Sequence, residues 1–378
     1  MSKRSAAKAK CTVAHVCHCL ENIAPPGLAQ SWDNVGLIAG DLGAPVERVL
    51  LCIDLTQAVV AEAVSGKAGL ILAYHPPILK PISSLSVPGD GTDATVFRCV
   101  RQGIAVYATH TALDAADGGT NDVLAELCGI VETEPIEYVE SPDGAECKIV
   151  VFVPREHVEA VADAMFDAGA GRIGDYTRCS FRAAGQGTFL GGLETQPVVG
   201  KRGRLERVDE VRLEIVTQAA DLAAVVQALR STHPYEEPAF DLYPLKGRPV
   251  RGMGRVGPFT RVTTLGSLAR KLKRVTHAAC VQIVGSPDHE VDRAVIVAGS
   301  AGSLPFRVPP RDGDCLITGE IRHHDALTLL RRGGSAVALG HWTSERPVLF
   351  ALAEQLQGAL PGVRVRVSAA DSDPFRSV

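Results

Sequence analysis

The chain has 378 residues, of which 46% are hydrophobic and 22% are charged, and its formal net charge is −4. A domain averages about 100–200 residues, so this length indicates about two to three domains with enough apolar surface to bury a core. The composition excludes a chain that is disordered throughout, and the near balance of charges excludes a strongly basic nucleic-acid-binding protein.

Two features predict where the protein resides. No apolar run reaches the roughly 20 residues that a membrane-spanning helix needs, and the basic first ten residues lead into polar sequence rather than a secretory signal. We expect those ten residues to form a short disordered tail. The ten cysteines contain no CxxC pair and lie mostly singly in apolar segments. This usage favours reduced thiols in a cytoplasmic protein.

The first region, residues 48–130, alternates short β-branched runs with segments of helical periodicity. The runs RVLLCIDL, GLILAYH and IAVYATH read as strands, and residues 57–65 and 94–102 read as helices. Strands that alternate with helices predict βαβ units and a parallel sheet.

The second region, residues 146–245, has a different order of elements. The strand KIVVFVP, a helix at 157–168, a glycine-rich hairpin at 185–192, the strand EVRLEIVT, a helix at 222–231 and the strand FDLYPL follow one another. This β-α-β-β-α-β order predicts a ferredoxin-like inserted domain. Residues 141–144 and 246–249 carry turn and linker chemistry at its two ends.

The third region returns to the pattern of the first. DRAVIVAG, CLITGE and SAVALGH read as strands, with helices at 322–332 and 344–357 and a last strand VRVRVS. We therefore predict that residues 11–140 and 248–378 are two halves of one layered α/β domain, which residues 146–245 interrupt.

Imidazoles and carboxylates follow four of the predicted strands. The carboxyl ends of parallel strands meet at one edge of a sheet, where such folds bind ligands. The residues at these ends are His75, His110 with Asp114, Glu320 with His324, and His341 with Glu345. A single histidine there is usually structural, and Glu345 alone would be explained as a helix-capping residue. The presence of imidazoles and carboxylates at four strand ends favours a site for Zn²⁺, Mn²⁺ or Fe²⁺. We predict that His75, Asp114, His341 and Glu345 form this site.

Several short motifs in both outer regions resemble the NIF-three-like family, the dinuclear metal-binding homologues of GTP cyclohydrolase 1 type 2. The motifs are SWDNVGL from Ser31, YHPP from Tyr74, THTALD from Thr109, GGTND from Gly118, TGE from Thr318 with His324, and GHWTSE from Gly340. The resemblance implies an α/β/α core that assembles into a toroidal hexamer, with two divalent ions per chain facing an inner cavity. The inserted region, which ends in HPYEEP from His233, looks like the insert of longer members.

Through these motifs, the resemblance implies that the metal ligands are His75, Asp114, His341 and Glu345, and that Asp114 and Glu345 bridge the two ions. One position departs from the family's pattern, because many bacterial members have His-His-Pro where this chain has Tyr74-His75-Pro76. The resemblance thus implies that one ion loses an imidazole, accepts a phenol or binds weakly.

The resemblance implies a divalent-metal-dependent hydrolase that acts on a nucleotide or phosphoester through metal-activated water. His110, Glu320 and His324 are then candidates for proton transfer. His110 could instead orient a metal ligand, and Glu320 and His324 could be a helix N-terminal charge and a surface residue. The turn from Ala298 to Gly302 could hold a phosphate.

A second function class stays open beside the hydrolase. The protein could be a non-catalytic metal-binding regulatory or scaffold protein, with the inserted domain as a sensor or oligomerisation element. We expect no membrane partner and no nucleic-acid partner, because the short basic loop at residues 201–204 is typical of a solvated hairpin tip.

Overall fold

The computed structural model describes residues 11–85, 91–130, 132–139, 146–174, 176–192, 194–195, 198–245 and 251–376. The chain divides into two compact units, the first made of Met1–Val139 and Pro249–Val378 and the second of Glu140–Arg248. The predicted tail at residues 1–10 and the predicted linkers at 141–144 and 246–249 lie outside the described residues.

The first sheet of unit 1 is formed mainly by the first region of the chain. It contains β1 (Gly36–Ala39), β2 (Arg48–Cys52), β3 (Leu70–Ala73), β4 (Ala105–Ala108) and β16 (Arg364–Val367), in the order β1-β4-β3-β2-β16. All neighbours are parallel except β1, which pairs antiparallel with β4. The helices of this half are α1 (Val13–Ile23), α2 (Gln57–Ser65), α3 (Thr92–Arg101), α4 (His110–Ala115) and α11 (Pro347–Ala359), and a 3-10 helix spans Pro26–Leu28.

Both faces of this sheet are buried, which explains why its strands read as continuous apolar runs. Leu51, Leu72 and Tyr107 pack into the cluster that contains residues of α1 and α11. Their neighbours Leu50 and Ile71 point the other way and pack against α2 and α3. Side chains alternate between the faces because successive residues of a strand point to opposite sides.

The second sheet of unit 1 is formed by the third region. It contains β11 (Arg255–Thr264), β12 (Gln282–Val284), β13 (Glu290–Ser300), β14 (Asp314–Glu320) and β15 (Ser335–Ala338), in the order β11-β13-β14-β15-β12. Its three central strands are parallel, and both edge strands are antiparallel. The helices are α5 (Thr120–Cys128), α8 (Leu265–Val275), α9 (His323–Arg331) and α10 (His341–Glu345), and a 3-10 helix spans Leu304–Arg307.

Polar side chains of α5 join the two halves of unit 1. Asp122 accepts hydrogen bonds from the guanidinium of Arg255, whose Nη2 also donates to the Ala116 carbonyl. Asn121 accepts a hydrogen bond from the Ala298 amide at 3.0 Å. A short antiparallel pair, β5 (Glu137–Tyr138) with β10 (Gly252–Met253), lies where unit 1 is interrupted.

Unit 2 has one antiparallel sheet and two helices. Its elements are β6 (Glu146–Pro154), a 3-10 helix (Arg155–His157), α6 (Val158–Asp167), β7 (Phe181–Leu190), β8 (Leu205–Gln218), α7 (Leu222–Thr232) and β9 (Phe240–Pro244), and the sheet order is β7-β8-β6-β9. Residues of α6 and α7 pack on Ile149, Val151 and Leu213. The order β-α-β-β-α-β is that of a ferredoxin-like module.

Three further findings bear on the sequence-based predictions. The structure contains an edge strand, β11, and an amphipathic helix, α8, that we did not predict. All ten cysteines are free thiols. In the part of the chain that the structure describes, no helix is long and apolar enough to cross a membrane.

Candidate metal centre

Three side chains from the two sheets of unit 1 converge on one point. His75 follows β3, while His341 and Glu345 lie four residues apart on α10. One ligand atom from each lies within 4.8 Å of the ligand atoms of the other two, a spacing that a metal ion can bridge. The strand-end pattern therefore brings together three of the four predicted ligands.

His75 is oriented by a carboxylate behind its ring. Its Nδ1 donates a hydrogen bond to Asp54 Oδ1 at 2.9 Å. The opposite nitrogen, Nε2, lies 3.3 Å from Glu345 Oε2. Because a carboxylate only accepts hydrogen bonds, Nδ1 carries a hydrogen, and in the neutral ring the lone pair of Nε2 faces the centre.

His341 repeats this arrangement from the second sheet. Its Nδ1 donates to Glu320 Oε1 at 3.1 Å, and its Nε2 lies 3.2 Å from Glu345 Oε1. We predicted one helix over 344–357, but α10 begins at His341, after Gly340, and α11 follows it from Pro347. Consequently His341 and Glu345 share one face of a single short helix.

Glu345 is the buried acid of the centre. Its carboxylate oxygens face one histidine each, but Oε2 is buried and makes no hydrogen bond to a described residue. His75 Nε2 approaches Oε2 as an ion-pair partner at 3.3 Å without a hydrogen bond, so the chain satisfies this buried oxygen incompletely. Two imidazole nitrogens and a carboxylate are a donor set that Zn²⁺, Mn²⁺ and Fe²⁺ accept. The residues therefore fit a divalent ion.

The three groups hold opposite charges without an ion. Burial lowers the pKa of His75, but Asp54 and Glu345 outweigh burial and raise that pKa to about 10. Glu345 raises the pKa of His341 to about 9, with a further contribution from Glu320. Burial opposes ionisation of Glu345, yet the two histidines lower its pKa. Without an ion, protonated histidines are thus favoured beside the Glu345 carboxylate, and an ion would take the place of the protons on their Nε2 atoms.

Asp114, the fourth predicted ligand, lies outside this group of three. Tyr74 donates its phenol hydrogen to Asp114 Oδ1, and Tyr74 is fully buried. Burial and the neighbouring Asp114 and Glu345 carboxylates hold the pKa of Tyr74 well above its usual value. Burial raises the pKa of Asp114 to about 6, although the hydrogen bond from Tyr74 opposes this rise.

His110 lies next to the centre, with its ring centroid 5.3 Å from that of His75. Its Nδ1 donates to Asp33 Oδ1 at 2.8 Å, and Asp33 also accepts the Thr111 amide at 3.1 Å. The φ angle of His110 is +28°, which is a strained value for a residue with a side chain. Trp32 is 58% exposed, and its ring centroid lies 5.8 Å from that of His110.

Glu320 and His324 occupy different environments. Glu320 contacts the centre indirectly through His341 Nδ1. His324 is exposed in the first turn of α9, where its ring lies 5.5 Å from that of His323. Among the described residues, no hydrogen bond or ion pair joins the His324 side chain to the three donors.

Gly299 borders the centre directly, because a Cβ atom there would lie 2.3 Å from Glu345 Oε1. Its φ of +63° also favours glycine. The Gly299 amide donates to Ser344 Oγ at 2.8 Å. That amide, part of the turn that we considered for phosphate binding, therefore already has a partner.

Two acidic residues of the site escaped our sequence-based prediction. Asp54 follows β2 and obeys the same strand-end rule as the predicted ligands. Asp371 is buried near the C-terminus, where it accepts hydrogen bonds from the Ile53 amide at 2.9 Å and from Trp342 Nε1 at 3.2 Å. No local pattern marks Asp371, because its partners are distant in sequence.

The whole described fold has counterparts among known proteins. A profile of the family described as Duf34/NIF3 (NGG1p interacting factor 3) matches residues 11–374. A Mycobacterium tuberculosis protein named GTP cyclohydrolase 1 type 2 homolog is 37% identical over 369 residues, or 96% of each chain. A Bacillus subtilis protein of the same name is 34% identical over 359 residues, or 94% of this chain and 95% of its own.

Solved structures agree with these matches. The crystal structure of a Bacillus cereus protein related to NIF3 is similar with a TM-score of 0.77 at 33% identity, covering 98% of this chain and 100% of that chain. The α/β fold predicted from the sequence is confirmed.

Proposed function

Because the chain belongs to the Duf34/NIF3 family, we propose that it is a divalent-metal-dependent hydrolase that acts on a nucleotide or a related phosphoester. The observation that carries this proposal is the buried Glu345 Oε2, which has no hydrogen-bond partner and faces His75 Nε2 at 3.3 Å. His75, His341 and Glu345 would hold the ion. When bound, such an ion lowers the pKa of a coordinated water and polarises a phosphoryl or carbonyl group.

His110 is the residue best positioned to move a proton. Its Nδ1–H is donated to Asp33, so its Nε2 is the nitrogen left to accept a proton beside His75. Asp33 holds the ring in this tautomer, as the acidic partner of a catalytic histidine does. Glu320 accepts from His341 Nδ1 and thereby acts as a positioning residue.

Trp32 supports a nucleotide over a simple phosphoester. An exposed tryptophan beside a candidate catalytic histidine offers a face on which a nucleobase can stack. The name GTP cyclohydrolase 1 type 2 homolog, borne by the M. tuberculosis relative, points to the same substrate class.

The test combines metal analysis with turnover. We expect the purified protein to contain a divalent ion and to hydrolyse GTP or a generic phosphodiester, and His341→Ala to lose both. His323→Ala is the matched control, because His323 is exposed on α9 and should keep both. His110→Gln should keep the ion and lose turnover. Stoichiometric metal without turnover on any nucleotide would favour the non-catalytic regulatory or scaffold protein instead.

We also propose that the protein works in the cytoplasm as a homohexamer. The support is its family membership together with ten free thiols, which suit a reducing compartment. Light scattering coupled to size exclusion measures the assembly, and a mass of one or two chains would contradict the hexamer.

A further inference from the structure

The centre presents one set of three donors, not two sets. His75, His341 and Glu345 form the one group of at least three potential ligands that the described residues bring within 4.8 Å. Their Nε2 and carboxylate oxygens surround a single point. A second ion would need additional donors, and Asp114 is the remaining ligand that the sequence predicts.

Neighbouring side chains keep Asp114 from serving as a ligand for a second ion. The Tyr74 hydroxyl donates to Asp114 Oδ1 and accepts a hydrogen bond from Thr120 Oγ1 at 3.3 Å. The Asp114 carbonyl accepts from Asn121 Nδ2 at 3.0 Å. The phenol hydrogen points at the carboxylate, so one Asp114 oxygen is occupied and the phenol acts there as a hydrogen-bond donor.

We propose that the centre binds one divalent ion, which His75, His341 and Glu345 hold. Tyr74 prevents a second ion from binding, because its phenol engages Asp114 and offers no nitrogen ligand. This inference rests on the proposed metal centre and specifies its capacity. Tyr74 suits the role because it directly precedes His75 and is fully buried between the sheet and its helices. The Tyr74 side chain offers one oxygen, which is already engaged with Asp114 and Thr120, whereas an imidazole at this position would offer a nitrogen lone pair.

The experiment counts ions in the full chain, stripped with a chelator and reloaded with Zn²⁺ or Mn²⁺ alone. We expect one ion per chain in the wild type and two in Tyr74→His, which replaces the phenol by an imidazole. Tyr74→Phe is the matched control that keeps the ring, and it should keep at least the single ion. With Mn²⁺, electron paramagnetic resonance should report an isolated ion in the wild type and an exchange-coupled pair in Tyr74→His.

Asp114→Asn provides a second test that keeps the shape of the side chain. We expect it to retain the single ion, because Asp114 is not a ligand in this arrangement. Two ions in the wild type, one ion in folded Tyr74→His, or loss of the ion in folded Tyr74→Phe or Asp114→Asn would each overturn the inference. Absence of metal from the wild type would instead overturn the proposed function.

Discussion

Each histidine of the candidate metal centre has a carboxylate at the ring nitrogen that faces away from Glu345. Asp54 accepts from His75 and Glu320 accepts from His341, so both rings present Nε2 to Glu345. Such carboxylates fix the tautomer and the orientation of a ligand and raise its basicity. The centre is therefore built from five side chains, of which three would contact the ion.

Asp54→Asn tests this arrangement. We expect the amide to weaken metal binding by about 10–100-fold, because the His75 tautomer and orientation are then less strongly held. Isothermal titration of the stripped protein with Zn²⁺ measures the change. Glu354→Gln removes an exposed carboxylate of α11 and should leave the affinity unchanged. Equal affinities in all three proteins would contradict a positioning role for Asp54.

Gly299→Ala probes the space beside Glu345. The added methyl group would lie 2.3 Å from Glu345 Oε1, so we expect the variant to fold and to lose most of its metal. Gly302→Ala is a closely matched control, since its φ of +56° imposes similar backbone strain but its Cβ would meet nothing within 4 Å. Metal content and thermal unfolding separate the two effects. Equal metal loss in both variants would assign the loss to backbone strain.

The elements of unit 2 include one buried histidine whose charge state affects stability. His233 follows α7, donates from Nε2 to the Phe152 carbonyl and accepts the Tyr235 amide at Nδ1. Protonation of Nδ1 would break the second hydrogen bond. Burial lowers the pKa of His233 below its usual 6.5, although the bond to Phe152 opposes this shift.

Stability should consequently fall in mildly acidic solution. The unfolded chain takes up this proton at a higher pH than the folded chain does. The stabilisation is therefore complete above about pH 6.5 and is lost as the pH falls through the lower pKa of the folded state. His233→Asn keeps an acceptor near Nδ1 and does not titrate there. Calorimetry between pH 7 and pH 5 should show a smaller loss in melting temperature for this variant, and parallel losses would refute the assignment.

Most elements were predictable because their patterns are local. The βαβ runs, the module of unit 2 and the ligands at strand ends follow from hydrophobic periodicity and turn residues. The helix α8 was missed although Leu265, Leu268 and Leu272 have helical spacing and are buried. Contacts such as the bond between Tyr74 and Asp114, or between Asp371 and Ile53, depend on how distant segments pack. No local pattern encodes such contacts.

At the scale of the whole molecule, the candidate metal centre belongs to unit 1 alone. Its three donors and both supporting carboxylates lie outside residues 140–248. The chain leaves unit 1 and returns to it at adjacent points, because the Val139 amide donates to the Arg251 carbonyl at 3.1 Å beside the paired β5 and β10. A two-residue turn can close such an antiparallel pair.

Replacement of residues 140–250 by Asn-Gly should therefore leave the centre intact. We expect the shortened protein to fold and to contain the same number of ions per chain as the full protein. Metal analysis and circular dichroism provide the measurement, and the same deletion with His341→Ala serves as the metal-free reference. Loss of metal from a folded deletion protein would mean that unit 2 is required for the centre.

The discontinuity of unit 1 has a consequence for biosynthesis. His75 is synthesised before unit 2, whereas His341, Glu345 and the edge strand β16 are synthesised after it. Unit 2 is continuous in sequence, so it can fold while the chain is still growing and unit 1 is still incomplete. The donors of the metal centre come together only after translation has passed Glu345. Under the proposed function, metal would therefore load only after unit 2 has been synthesised, and a chain truncated before α10 could not form the centre.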